Sequence, residues 1–140
     1  MKILEVLTRS RIIGNVGERA AAVYLKRKGY KIIERNYVAE NNEIDIIAKN
    51  RDTVVFVEVK SRTLGRADRY LPRPAAAVTP EKQQGIIKTA AFYLARNYKY
   101  KGLRVRFDVI EVYIKDGKPE RINHLENTFD KNTAYRRSYQ

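Results

Sequence analysis

The segment Thr53–Lys60 constrains the fold more than any other part of the chain. In a strand, side chains alternate, so Val54, Phe56, Glu58 and Lys60 share one face while Val55, Val57 and Val59 take the other. Both faces are apolar over most of their length, which reads as a central strand covered on both sides. Layers on both faces of a sheet mean an α/β fold. A buried strand does not keep Glu58 and Lys60 unpartnered, because an isolated charge out of water is costly.

The preceding run, Glu43–Ala48, carries a second set of acids. Alternation puts Glu43, Asp45 and Ile47 on one face, with Ile44, Ile46 and Ala48 opposite. A connection over Lys49–Asp52 would pair Ala48 with Thr53, Asp45 with Phe56 and Glu43 with Glu58. Any connection of even length leaves Asp45 and Glu58 on one face, directly or diagonally adjacent. Two carboxylates at ~4 Å and an effective dielectric of ~20 repel by about 4 kcal/mol. Either a cation lies between them or a pKa is raised.

Hard oxygen donors suit Mg²⁺ or Mn²⁺. A cation held by Asp45 and Glu58 and bordered by Lys60 is suited to phosphodiester hydrolysis. The ion polarises a phosphate oxygen and lowers the pKa of a water, and the ammonium orients that water or steadies developing charge. The competing reading, an exposed hairpin with ordinary surface charges, conflicts with the two-sided burial of Thr53–Lys60. The single histidine, His124, does not make a zinc centre alone, and the absence of cysteine excludes disulfides, thiolate catalysis and cysteine-ligated zinc.

The remaining elements fall around this pair. Residues 1–13 read as a flexible N-terminal arm or short helix. A helix fits Val16–Lys28, ended by Gly29, with Ala21, Ala22 and Leu25 inward and Glu18 on the same stripe. Strands fit Tyr30–Tyr37, Glu43–Ala48 and Thr53–Lys60, with turns at Asn41-Asn42 and Asn50–Asp52. Ser61–Val78 reads as a long loop. A second helix begins with Thr79 as N-cap and Pro80 at its first position and runs to about Tyr98. Its inward stripe is Ile87, Ala90, Ala91, Leu94 and Tyr98, shared by Gln83. Strands at Arg104–Ile114 and Pro119–Leu125 follow a turn at Asp116-Gly117. The order α-β-β-β-α-β-β predicts one domain over residues 14–129, a mixed central sheet flanked by helices, and a basic tail at 130–140.

The 140 residues carry 29 Lys+Arg against 16 Asp+Glu, a net charge of +13 that favours a polyanionic partner. No acid occurs between Lys82 and Phe107, where Lys82, Lys88, Arg96, Lys99, Lys101, Arg104 and Arg106 fall. The long loop adds Arg62, Arg66, Arg69 and Arg73 around Asp68 alone. Such grouping favours a face that tracks phosphates over a merely solvated surface. No apolar run approaches a membrane span and no signal peptide is recognisable, so a cytoplasmic location is the expectation.

Asp45 followed after twelve residues by Glu58-Val59-Lys60 resembles the PD-(D/E)XK nuclease signature, with Ile44 where the proline of its name would stand. Gly17-Glu18-Arg19-Ala20-Ala21, Asn36-Tyr37, Asn42–Ala48, Val57–Arg62, Arg106–Val109 and His124–Phe129 occur in order. Together they resemble the bacterial YraN-like family over roughly Gly14–Phe129, with Asn42 where that family usually has glycine. The arrangement is also similar to archaeal Holliday-junction resolvases. The resemblance implies a restriction-endonuclease-like fold, a metal-dependent endonuclease acting on DNA, branched or structured DNA foremost, and a homodimer. It implies that Glu18 joins Asp45 and Glu58 as a metal ligand, with Lys60 catalytic. Gln83 or Lys82 would reach the scissile phosphate, and Lys82, Lys88 and the loop arginines would bind nucleic acid. Glu43 is a secondary acid or an arginine partner, and Asp108 a structural residue pairing with Arg106 or Arg104. The alternative is a non-catalytic protein that binds DNA or structured RNA on a nuclease fold.

Overall fold

The computed structural model describes residues 2–63 and 78–132. Helix α1 covers Lys2–Arg27 and strand β1 Lys31–Ala39, followed by β2 at Asn42–Asn50 and β3 at Thr53–Thr63. Helix α2 spans Pro80–Arg96; a single 3₁₀ turn at Tyr98–Tyr100 leads to β4 at Arg104–Lys115 and β5 at Lys118–Leu125. The strands form one mixed sheet in the order β1-β2-β3-β4-β5. All neighbours are antiparallel except β3 and β4, which run parallel. This is the open α/β fold, in the order α-β-β-β-α-β-β, that the strand patterning requires.

The sheet is covered on both faces. Leu25, Ala21 and Ala22 of α1 pack on Ile46, Ala48, Val55, Val57, Ile110 and Val112. Ile86, Ala90 and Tyr93 of α2 pack on Ile44, Ile47, Val54, Phe56 and Val109. Val54, Val55, Phe56 and Val57 are all at most 1% exposed, the two-sided burial expected of a central strand. Tyr93 meets Phe56 and Tyr37 edge-on and stacks on Tyr100, fastening α2 to the sheet and to the 3₁₀ turn.

Several expectations need correction. Helix α1 begins at Lys2, so residues 2–13 are not a separate arm. The packed C-terminal half supplies the nucleus, and no proline intervenes to stop propagation toward the N-terminus. Gly14 and Gly17 cost only about 1 kcal/mol each in a helix interior. Gly29 does end the helix, at φ 93°, with the Tyr30 N–H donating to the Leu25 carbonyl.

The inward stripe of α2 is rotated by about one residue, to Gln83, Ile86, Thr89, Ala90 and Tyr93. Ala91 is exposed, and Tyr98 lies beyond the helix, 70% exposed. Tyr93 takes the inward position because aromatic partners wait for it there. The N-cap is as anticipated, with Thr79 Oγ1 accepting from the Lys82 N–H at 3.2 Å.

The turns and register also differ. Glu40 and Asn41, both at positive φ, make the first hairpin turn, and Arg51-Asp52 make the second. That two-residue turn pairs Asn50 with Thr53 and Ile46 with Val57, two residues away from the expected register. Parity is unchanged, so β3 keeps its expected faces. The faces of β2 do not hold: Ile44 packs with Ile47 on the α2 side, whereas Ile46 packs on the α1 side. Alternation slips at Asp45. On β1 the matching position is Asn36, held at φ 54° between the pairs Arg35–Ile46 and Tyr37–Ile44.

Candidate metal centre

The slip sits where the sheet forks. The β2–β3 ladder stops at Ile46–Val57, while β2 continues along β1 to Asn42 and β3 continues along β4 to Thr63. Asp45 occupies the crotch: its Oδ2 accepts the Val59 N–H at 2.7 Å, replacing a ladder bond the diverging strands no longer make. The sequence pattern thus places an acid where two strands part, and the backbone uses it to hold the parting open.

Helix α1 closes the fork from one side. Gly17 lies against Ser61, and a β-carbon there would collide with the serine side chain. Close approach at Gly17 brings its neighbour Glu18 to the fork. Glu18, Glu43 and Asp45 each present a carboxylate oxygen within 4.8 Å of the others. Asn36 binds this cluster: with its amide nitrogen inward, Nδ2 donates to Glu18 Oε2 at 2.9 Å and to Glu43 Oε1 at 2.9 Å. Arg35 adds an ion pair to Glu18 at 3.7 Å.

Helix α2 closes the other side. Glu58, only 4% exposed, receives Lys82 Nζ on Oε1 at 2.7 Å and Lys60 Nζ at 3.5 Å. Glu18, Asp45, Glu58, Lys60 and Lys82 line one cleft of about 490 Å³. Charge in so confined a space perturbs the acids. Burial, then the Glu58 charge, push the Asp45 carboxyl up to about 8 against the Val59 hydrogen bond. Burial and then Glu43 raise Glu18, with Arg35 and Asn36 opposing. For Lys82 burial pulls down, but its hydrogen bond and attraction to Glu58 outweigh this and raise it. A proton or a cation is needed for the acids to coexist, and an all-carboxylate donor set fits a hard divalent ion.

The structure therefore gathers Glu18, Glu43, Asp45, Glu58, Lys60 and Lys82 at the fork. Asn36 and Arg35 are not among the residues the sequence assigns to the site; the Asn36-Tyr37 pair, one of the motifs that carry the family resemblance, is the available signal. Gln83 is buried and donates to the Val78 carbonyl at 3.0 Å. Its Oε1 meets no donor among the described residues. Arg62 lies on β3, not in a loop, and pairs with the buried Glu111 at 3.6 Å. Lys88 is exposed on α2. Arg66, Arg69 and Arg73 lie outside the described residues, as do positions 133–140 of the basic tail.

Asp108 is fully buried on the far side of β4's start. It takes a bidentate pair from Arg106 at 2.9 Å, His124 Nε2 at 2.7 Å and the Asn127 N–H at 2.9 Å. His124 Nδ1 in turn meets the Tyr24 hydroxyl at 3.1 Å, tying α1 to β5. This explains His124, and pairing with Arg106 is as anticipated. Arg104 instead meets Asp52.

A mixed five-stranded sheet between two helices, with acids and lysines gathered where its strands fork, defines an open α/β protein with a carboxylate–lysine cleft. The chain belongs to the family described as "Uncharacterised protein family UPF0102", which it matches over residues 17–112. This is the YraN-like family whose motifs occur in order in the sequence. A UPF0102 protein of Caldanaerobacter subterraneus, TTE1452, is 44% identical over 84% of this chain and 93% of its own. The Syntrophus aciditrophicus relative is 44% identical over 89% and 93%. The Chlorobium phaeobacteroides protein Cpha266_0037 is 46% identical over 79% and 84%. The crystal structure of SSO0001 aligns over 99% of this chain and 61% of that one, at 18% identity and a TM-score of 0.39, too distant to bear on function.

Proposed function

We propose that the chain is a divalent-metal-dependent endonuclease acting on DNA, with branched or structured DNA the favoured substrate. The observation that carries this reading is the fork: Asp45 is wedged between diverging strands beside Glu58, Glu18 and Lys60, in a cleft open to solvent. Asp45, Glu58 and Glu18 would hold Mg²⁺ or Mn²⁺, with Glu43 supporting. The ion would supply Lewis-acid polarisation of a phosphate oxygen and a water of lowered pKa.

The protein's own groups do the rest. Lys60 orients the attacking water or steadies developing negative charge from the edge of the cleft. Lys82, about half exposed at the first turn of α2, reaches a phosphate placed over the cleft. The first turn of α2 also offers a favourable dipole end to that phosphate. Gln83 is held behind it by the Val78 carbonyl and serves as a positioning residue. Lys88 and Arg62 would add cations for the substrate's phosphates, a role the sequence also suggests for the arginines at 66, 69 and 73. Two-fold substrates such as four-way junctions call for a homodimer, each copy cutting one strand.

Asp45→Asn and Glu58→Gln test the reading. Each abolishes Mn²⁺-dependent cleavage across a panel of junction, flap, duplex, single-stranded and RNA substrates, while DNA binding is kept or tightened. Unchanged cleavage by both variants refutes it. One observation favours a second reading, a non-catalytic binder of DNA or structured RNA: Lys82 at 2.7 Å supplies Glu58 with a counter-charge from the protein itself. Mn²⁺ titration showing no Asp45-dependent site would support that reading instead.

A further inference from the structure

Among the described residues, a second hollow lies apart from the carboxylate cleft. It is a trough of about 900 Å³ on the other side of α1, walled by β5 and by the turn that joins β4 to it. Ile12, Val16, Val23 and Ile122 make its floor apolar. Ile12 is 56% exposed and Val23 41%, although both sit on a helix whose opposite face is core. The floor runs from Ile12 to Arg27 along α1, four helical turns and about 22 Å. Its margin carries Arg19, Arg27, Lys28 and Arg121 against one acid, Glu120.

We propose that this trough docks an acidic amphipathic helix of a partner protein. An apolar floor asks for an apolar face, and a length of four turns matches a helix of about 15 residues laid alongside α1. The cationic margin asks for acids flanking that face. The chain's own candidates fail on charge. Positions 64–77 carry three arginines and one aspartate, and 133–140 two arginines and no acid. A second copy brings a net charge of +13 to a margin that is itself positive. Duplex DNA would satisfy the arginines but set phosphates over Ile12, Val23 and Ile122. Glu18 and the trough lie on opposite sides of the same helix, so an occupant leaves the carboxylate cleft open. The surface is suited to bringing the protein to its place of action through a protein contact.

Fluorescence anisotropy tests this with a labelled 16-residue peptide, Leu and Phe at helical i, i+3, i+4, i+7 spacing and Glu elsewhere. The control is an isomer of the same composition with the apolar positions scattered. The intact protein is expected to bind the patterned peptide at least tenfold tighter than the isomer. Val23→Glu, at an exposed position that leaves the fold intact, should lose at least tenfold. Arg27→Glu with Arg121→Glu should lose at least fivefold in 50 mM salt and less in 200 mM, while Mn²⁺ binding at the cleft is unchanged. Equal affinity for the two peptides, or indifference to Val23→Glu, overturns the proposal. So does a Val23-dependent dimer in sedimentation, which would make a second copy the occupant. Binding to phosphatidylglycerol vesicles with the same Val23 dependence, and none to the peptide, would overturn it in favour of a lipid surface.

Discussion

Metal binding to the fork should release a proton, and the amount can be worked from Asp45. Burial and the neighbouring Glu58 hold its carboxyl at about 8. Simple titration then leaves it about nine-tenths protonated at pH 7 and about half at pH 8. A divalent ion binds the carboxylate form only, so each Mn²⁺ should displace about 0.9 proton at pH 7 and about 0.5 at pH 8. Apparent affinity should climb about 50-fold between pH 6 and pH 8, close to tenfold per unit at the acid end. Calorimetry in two buffers of different ionisation enthalpy reads the proton count directly, and Asp45→Asn should abolish it. The same shift has a stability consequence of definite sign. The folded pKa lies above the unfolded value of 3.8. The folded state therefore holds a proton that the unfolded chain has lost, and metal-free stability falls as pH rises from about 4 to 8. Asp45→Asn should flatten that decline and raise the neutral-pH melting temperature. Release below about 0.3 proton per ion at pH 7, or an identical pH profile in Asp45→Asn, refutes the account of the fork.

Three further perturbations probe the supports of the site. Lys82→Met removes the nearer cation from buried Glu58. Because Lys82 is half exposed, the cost should be only about 1 kcal/mol, read by urea unfolding, while Mn²⁺ binding tightens about fivefold; weaker Mn²⁺ binding would refute competition for Glu58. Gly17→Ala forces a β-carbon into Ser61 and should cost about 1–3 kcal/mol, with Ser61→Gly restoring most of it; a neutral Gly17→Ala would show that α1 does not need its close approach to β3. Asp108→Asn breaks a fully buried pair with Arg106 and His124 and should cost about 3–5 kcal/mol. Burial opposes ionisation of Asp108, but the His124 and Arg106 hydrogen bonds prevail and lower its pKa. Its contribution is therefore present above the unfolded pKa and lost as pH falls through the lowered folded value, which acid titration of wild type against Asp108→Asn checks.

Strand content, the two-sided burial of β3, the Thr79-Pro80 start of α2 and the Gly29 stop of α1 are local properties, and each was legible in the residues. Period-2 alternation and capping chemistry act within a few residues, so no tertiary information is needed to read them. That Glu58 and Lys60 share a face was legible for the same reason, and an even turn keeps Asp45 close to them, although alternation on β2 slips at Asp45 itself. Register was not. Arg51-Asp52 and Lys49–Asp52 are both acceptable even turns, and only the pairing of Ile46 with Val57 and the packing beyond it choose between them.

Long-range closure accounts for what the sequence withheld. Nothing local states that alternation slips at Asp45, because the slip is matched on a neighbouring strand by Asn36 at positive φ. Nothing local rotates α2 to bury Tyr93, whose aromatic partners come from β1, β3 and the 3₁₀ turn. Lys82 was legible as a cation near the site, but its 2.7 Å hold on Glu58 exists only once α2 crosses the sheet. The residues alone determine that acids and lysines must share a buried strand face, because alternation and the cost of burying charge leave no other arrangement. Tertiary structure alone decides that the sheet forks there, with Asp45 spanning the gap, because backbone groups released from one ladder must find partners that only the assembled strands provide.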